Sequence, residues 1–316
     1  MRAQARMLPD GRRLHLQDGP MDIVVNAEGR PDAVRAAYHA ATELFGGVLD
    51  ELCAELAELR ARFRPERVFA GQIAARMQRA VAPFGAETFI TPMAAVAGSV
   101  AENILGVMVA AAPLTRASVN NGGDIALHLA PGESVRVGLV DRPDRPGLFG
   151  SATIRAEEPV RGIATSGWRG RSFSLGIADA VTILADTAAQ ADAAATIVAN
   201  AVDLPCHPAV LRVPASSVQS DSDLGDRLVT HDVGVLSPAE IEQALSHGLA
   251  CAERLIARGL IHGAALHLQG ETRVTGTNLR RAGEAGGLEA RTTVLRASRR
   301  AFGAPQHNEC EELELV

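Results

Sequence analysis

The chain has 316 residues, of which 47% are hydrophobic and only 3% aromatic, and its formal net charge is −6. That length allows one large domain or two closely packed ones, and the apolar share is ample for a core of Ala, Val, Leu and Ile. A net acidic chain with scattered arginines lacks the concentrated basic face that displaces counterions from nucleic acid, so no nucleic-acid partner is expected.

In chain order, Arg12 to Leu16 and Asp22 to Asn26 read as two short strands around the turn Asp18-Gly19-Pro20. A helix follows Pro31, because Val34, Ala37, Ala41, Leu44, Val48, Leu52 and Leu56 recur at three and four residues. Pro65 should end it, since proline cannot donate the helical hydrogen bond. A second helix is predicted from Val68 to Val81 and a third from Ala94 to Ala112, opened by Thr91-Pro92. Small residues in the first half of that third helix let its backbone approach another surface or a ligand closely.

The middle of the chain is rich in strands. Thr115 to Val119, Ile125 to Leu129, Ser134 to Val140, Ser151 to Ala156 and Arg161 to Ala164 alternate as strands do. Gly122-Gly123, Pro131-Gly132 and the Pro143 to Gly147 segment supply turns. A strand from Ala180 to Leu184 leads into a helix from Ala188 to Val202, with Thr187 as N-cap and Gln190 three residues later. Pro238 begins a helix through Ile256 capped by Ser237, and strands follow at Leu260 to Leu268 and Thr272 to Val274. Between Pro205 and Pro238 no element is evident.

The cysteines, Cys53, Cys206, Cys251 and Cys310, form no CxxC pair and no zinc pattern, which suits a reduced cytosolic protein. The most apolar stretch, Ile104 to Leu114, is too short to span a bilayer, and the N-terminus carries no signal-like apolar run. A cytoplasmic location without membrane contact is therefore expected. The chain reads as a single domain over 1–316: strands and helices in 1–90, a core motif region in 91–205, a helix and strands in 206–303, and an acidic tail over 304–316 expected to be mobile.

Three blocks carry a resemblance. They are Pro92 to Glu102, Asn120-Asn121-Gly122-Gly123-Asp124-Ile125, and Gly162 through Ser172-Phe173-Ser174 and Asp179-Ala180-Val181-Thr182 to Ala191-Asp192-Ala193-Ala194-Ala195-Thr196. In order and spacing they resemble the UPF0280 branch of the ApbE-like superfamily, whose flavin transferases use FAD and magnesium to move FMN onto a Thr or Ser of a target flavoprotein. The resemblance spans roughly residues 90 to 205 and implies an α/β (α+β) fold, an antiparallel-rich mixed sheet with packed helices. It also implies magnesium ligands at the Ala97 carbonyl, Asp192 and Thr196. Asp192 and Thr196, four apart on a predicted helix, share one face, and their oxygens are hard donors suited to magnesium. The alternative for Asp192 is a first-turn carboxylate favouring the helix dipole.

The ligand-facing residues implied are Asn121, Gly122, Gly123 and Asp124, Thr165, Ser166 and Gly167, and Ser174. Each has a plainer alternative, a hairpin turn for the first group and a polar loop for the second. Arg169 or Arg171 can pair with phosphate, Trp168 can stack on a planar ring, and Asp179 is a candidate catalytic acid or base, or a residue positioning one, that could equally cap a turn. His128, His207, His231 and His262 do not fall in ligand spacing.

Two features depart from the family's transferases. Gly98 stands where they carry a Lys, and Ser174 to Asp179 replaces a longer His-bearing segment. Three functions stay open: a magnesium-dependent enzyme acting on FAD or a related diphosphate by transfer or hydrolysis, a non-catalytic flavin, nucleotide or small-metabolite binder, and an enzyme of another class in the same cleft. The expected partner is a small molecule, such as a flavin dinucleotide, and no residue pattern marks a homo-oligomer.

Overall fold

Strands that are apolar on both faces must be covered on both faces, and this decides the layering. The computed structural model describes residues 3–141, 147–282 and 295–296. Its first strands are β1 (Gln4–Met7), β2 (Leu14–Asp18) and β3 (Met21–Glu28). Helices α1 (Pro31–Ala54), α2 (Leu56–Leu59) and α3 (Gln72–Val81) follow, then a 3-10 turn at Pro92–Ala95 that runs into α4 (Val96–Ala111). The central strands are β4 (Arg116–Asn121), β5 (Asp124–Leu129), β6 (Ser134–Val140), β7 (Leu148–Arg155), β8 (Gly162–Ser166) and β9 (Ala180–Ala185), followed by α5 (Ala188–Ala201). The chain continues through β10 (Val210–Pro214), α6 (Ala215–Val218), β11 (Leu228–Val233), α7 (Pro238–Ala257), β12 (Gly263–Leu268), β13 (Glu271–Gly276), β14 (Leu279–Arg281) and β15 (Leu295–Arg296).

Nine strands form one antiparallel sheet in the order β1-β2-β3-β4-β5-β8-β9-β12-β13. Its helix-covered face carries Val25, Val119, Ala126, Val181, Ile183 and Leu266 into a core shared with α1, α3, α4, α5 and α7. From the opposite face, Ile125, Leu127, Ile163 and Leu184 pack against Val135, Val137 and Ile154 of a four-stranded sheet ordered β14-β7-β6-β15. In that smaller sheet β6 and β15 pair in parallel, so the strands are mixed overall, as expected. Double coverage explains why β9 and β12 are buried along their whole lengths.

Helix α5 sits in the middle of the helical layer. Its alanines are buried on nearly every side, and Thr187 caps it by accepting the Gln190 N–H, as the spacing implied. Glycines surround it because side chains would not fit. A Cβ on Gly98 would lie 2.2 Å from the Ala188 carbonyl oxygen, one on Gly162 would lie 2.1 Å from the Thr187 carbonyl, and one on Gly176 would lie 2.0 Å from the Ala199 oxygen.

Several expectations need correction. Helix α3 begins at Gln72 rather than Val68, because Glu55 accepts the N–H groups of Ala70 and Gly71 and Glu51 accepts that of Ile73, which fixes a turn ahead of the helix. The first long helix breaks at Glu55, whose φ of −118° and ψ of 15° are not helical, well before Pro65. Strands β10 and β11 occupy the stretch where none was expected, and β1 and β14 were also unforeseen. The helix expected over Ala94 to Ala112 is α4 with its preceding 3-10 turn, and its apolar run extends further than Ile104 to Leu114. Pro92–Ala111 is long and apolar enough by composition to cross a membrane, and in this fold it packs against α1, α3 and α5 with 44% of its most apolar window buried. Most of the turn expected over 143–147, and the tail expected to be mobile, lie outside the described residues.

The glycine contacts predict that Gly162→Ala, which leaves every candidate site side chain intact, lowers unfolding stability by about 1–3 kcal/mol through forced separation of β8 and α5. Urea unfolding checks this; an unchanged midpoint would mean that the contact yields without cost.

Candidate functional site

The β4–β5 hairpin turns through Gly122 and Gly123, whose φ values of +65° and +111° are backbone that side chains rarely adopt. Asn120 Oδ1 accepts the Gly123 N–H at 2.9 Å and holds the turn open. One residue before the turn, the buried Asn121 donates its Nδ2 to the Ala97 carbonyl at 3.2 Å. Across the same peptide, the Gly98 N–H donates to Asp192 Oδ2 at 2.9 Å. The first turn of α4, the β4–β5 hairpin and α5 thus converge on the Ala97–Gly98 peptide, with Thr196 one turn beyond Asp192 on α5.

That convergence can be tested against magnesium. One carbonyl, one carboxylate and one hydroxyl are hard oxygen donors of the kind magnesium takes, but they carry only one formal negative charge between them. Among the described residues no group of three His, Cys, Asp or Glu side chains could hold a metal ion. The donor set therefore fits a cation that keeps several waters and shares its remaining charge with a bound phosphate. In a trans peptide the N–H and C=O point in opposite directions, so Asp192 and Asn121 meet this peptide from opposite sides.

Beside the hairpin lies a small cleft of about 30 Å³. Gly122 and Gly123 line it from the turn, Thr165, Ser166 and Gly167 from the end of β8, Arg169, Gly170 and Asp179 from the following loop, and Val140 and Asp141 from the end of β6. That is far below a whole ligand pocket and holds one small group, such as a phosphate oxygen or a water, rather than a dinucleotide. Gly167 is required by the cleft floor, since a Cβ there would lie 2.4 Å from the Asp179 carbonyl.

Asp179 is used differently from a facing acid or base. Its Oδ1 accepts Trp168 Nε1 at 3.2 Å and Arg169 Nε at 2.8 Å, and its Oδ2 accepts the Gln269 N–H at 2.7 Å. Both oxygens therefore aim at donors, and the group staples the 167–170 loop to the start of the β12–β13 turn. Arg169 also lies over the Trp168 ring, 4.2 Å from its centroid, so that ring face is covered by protein.

Other implied ligand residues turn inward. Asp124 is buried and its Oδ1 accepts the Thr165 N–H at 3.2 Å, while Thr165 Oγ1 pairs with Thr182 Oγ1 at 2.9 Å. Ser174 is not brought to the cleft. It is 2% exposed, donates its hydroxyl to Asn200 Oδ1 at 3.2 Å and accepts the Gly176 N–H at 3.2 Å, and its carbonyl accepts the Thr230 N–H. Those bonds join the loop before β9 to the end of α5 and to β11. Arg171 reaches back to the Pro20 carbonyl and covers Gly122, its Nη2 2.6 Å from where a Cβ would stand. Asp141 escaped the sequence analysis altogether, because only the stacking of the small sheet on the large one carries the end of β6 to the cleft.

The family model described as "AbpE bacteria" matches residues 5–274. A UPF0280 protein of Methanopyrus kandleri is 36% identical over 181 residues, 57% of this chain and 69% of that protein. A UPF0280 protein of Archaeoglobus fulgidus is 32% identical over 183 residues, covering 57% and 70%. Among solved structures, the flavin transferase ApbE from Vibrio cholerae is 11% identical, with 87% of this chain and 97% of that one covered at a TM-score of 0.47. The Pseudomonas stutzeri flavinyl transferase ApbE is 12% identical, with 88% and 96% covered at a TM-score of 0.41.

The single tryptophan of the chain makes the Asp179 staple measurable. Asp179→Ala should shift Trp168 emission to the red and raise its quenching by acrylamide, because the indole loses its acceptor and the loop its anchor. An emission spectrum identical to that of the parent protein would show that the staple does not order the loop.

Proposed function

The chain belongs to the AbpE bacteria family, alongside UPF0280 proteins, and we propose that it acts on FAD or a related dinucleotide diphosphate with magnesium, by flavinyl transfer or hydrolysis. The observation that carries this is the convergence of Asn121, Ala97, Gly98 and Asp192 on one peptide, next to a glycine-lined cleft. Ala97, Asp192 and Thr196 would hold the cation. When bound, it would neutralise charge on the diphosphate and make phosphorus easier to attack.

The rest is done by the chain itself. The glycines of the β4–β5 turn and Gly167 let phosphate oxygens come close to the backbone, Ser166 offers a hydroxyl, and Arg169 brings the cationic side chain that lines the cleft. Asp179 keeps Arg169 on that wall. Unpaired Cys53, Cys206 and Cys251 among the described residues suit a reducing cytoplasm.

A second function, ligand binding without turnover, is favoured by Gly98. Backbone packing against Ala188 leaves no room there for a cationic side chain that could hold a phosphate.

The test is incubation of purified protein with FAD and magnesium, with FMN and AMP as the products followed and Trp168 fluorescence as the binding signal. Expected are release or transfer of FMN, its loss in Asp192→Ala, and an FAD affinity at least about tenfold higher with magnesium than without, since cation and diphosphate complete each other's coordination. Tight FAD binding without product selects the carrier function. Absence of FAD binding at any magnesium concentration rejects both.

A further inference from the structure

A second, open hollow of about 460 Å³ adjoins the cleft, and Asp141 lines both. Phe149 of β7, His267 of β12, Thr272 and Glu271 of β13, and Arg281 of β14 form its walls. The His267 ring is 7% exposed and stacks on Phe149, with centroids 4.9 Å apart and planes at 25°. Its Nδ1 pairs with Thr272 Oγ1 at 2.9 Å, which fixes the ring so that Nε2 faces Asp141 Oδ2 at 4.0 Å.

A neutral imidazole has one donor and one acceptor nitrogen, each of which can take a partner. Here one does, and the other faces a carboxylate across a gap in the wall of a hollow. The gap is too wide for a direct hydrogen bond and suits a single oxygen about 2.8 Å from each side. Burial pushes the imidazole pKa below its ordinary value, against the opposing pull of Asp179, Asp141 and Glu271, so the ring is neutral at neutral pH and able to take a proton.

We infer that His267 is the general base of this site, and that the gap between its Nε2 and Asp141 seats the oxygen that attacks the diphosphate. The inference rests on the diphosphate function proposed for the adjoining cleft. In the step, the attacking hydroxyl or water gives its proton to Nε2 while its oxygen forms a bond to phosphorus. The bond from that phosphorus to the bridging oxygen breaks, and the leaving phosphate keeps the electron pair. Asp141 aims the attacking oxygen and holds the imidazolium that results.

Turnover of FAD with magnesium would be measured across pH for the parent protein, His267→Gln and Asp141→Asn, with FAD affinity measured in parallel. The expected result is a fall in kcat of about a hundredfold or more in His267→Gln at unchanged affinity, together with loss of the acid limb of the profile. In Asp141→Asn, kcat should fall about tenfold and the acid limb should move to lower pH, because a negative charge that favours the imidazolium is gone. Mass spectrometry of products formed in heavy-oxygen water, with and without added glycerol, tells water from an alcohol as the attacker. A folded His267→Gln with kcat within about threefold of the parent and the same pH limb overturns the inference; should that variant not fold, an unchanged Asp141→Asn profile does so. If the parent binds FAD without turning it over, the catalytic function of the cleft fails. The gap is then judged by the ring-proton resonance of His267: a shift on adding FAD with magnesium retains it as a ligand seat, and an unmoved resonance removes it.

Discussion

Helix α5 meets its neighbours backbone to backbone at both ends, and the positions of the candidate ligand groups follow from that contact. Gly98 and Gly162 close on its first turn, and Gly176 closes on its last. A chain with few aromatic residues has little bulk to fill a core, so density must come from close approach of main chains. Alanine serves this well, because it is buried without loss of rotamer freedom. The close approach of α4 and α5 is also what brings the Asp192 carboxylate to the Gly98 N–H. Packing and candidate chemistry are therefore one feature, and Gly98 belongs to it. The departure from the Lys of the family's transferases is the condition for α4 and α5 to touch, as well as the loss of a cation.

Much of this was legible in the sequence where pattern and burial coincide. The α5 and α7 caps at Thr187 and Ser237, the alternating central strands and the Gly122-Gly123 turn follow local rules, and the structure repeats them. Strands β10 and β11 did not declare themselves, because they form a separate two-stranded ribbon with an interrupted register, in which β10 has no buried residue and the buried residues of β11 do not alternate. Ser174 lay in a matching block and so drew a ligand role. Only the three-dimensional neighbourhood of Asn200 and Thr230 shows that its hydroxyl holds the chain in place. Asp141 and His267 are far apart in sequence and share no motif, and they meet because one sheet stacks on another. Stacking of that kind leaves no short-range trace.

Asp179, whose role the sequence left open, shows what only the fold can supply. The carboxylate does line the cleft, but it spends its oxygens on Trp168, Arg169 and the Gln269 main chain. Sequence gives the residue type and a loop position; it does not say how many donors the fold will aim at it. A carboxylate holding an arginine in a binding wall has a function of its own, since the planar guanidinium is then presented in a fixed orientation rather than searching rotamers.

The charges around the cleft bear on which ligand it takes. Asp141 and Asp179 stand in its lining with a single Arg169, a formal balance of one negative charge before any ligand enters. A diphosphate adds more negative charge, and at these short distances in a partly enclosed site the repulsion is substantial. Main-chain N–H groups and hydroxyls help but bring no net charge. A divalent cation held on the Ala97, Asp192 and Thr196 side would cancel the negative charge of the cleft and of Asp192 together, and it would in turn find in the diphosphate the anionic oxygens that its protein donors lack. Each partner answers the deficit of the other, so a cleft this poor in cationic side chains is better matched to a metal-bound diphosphate than to a free one.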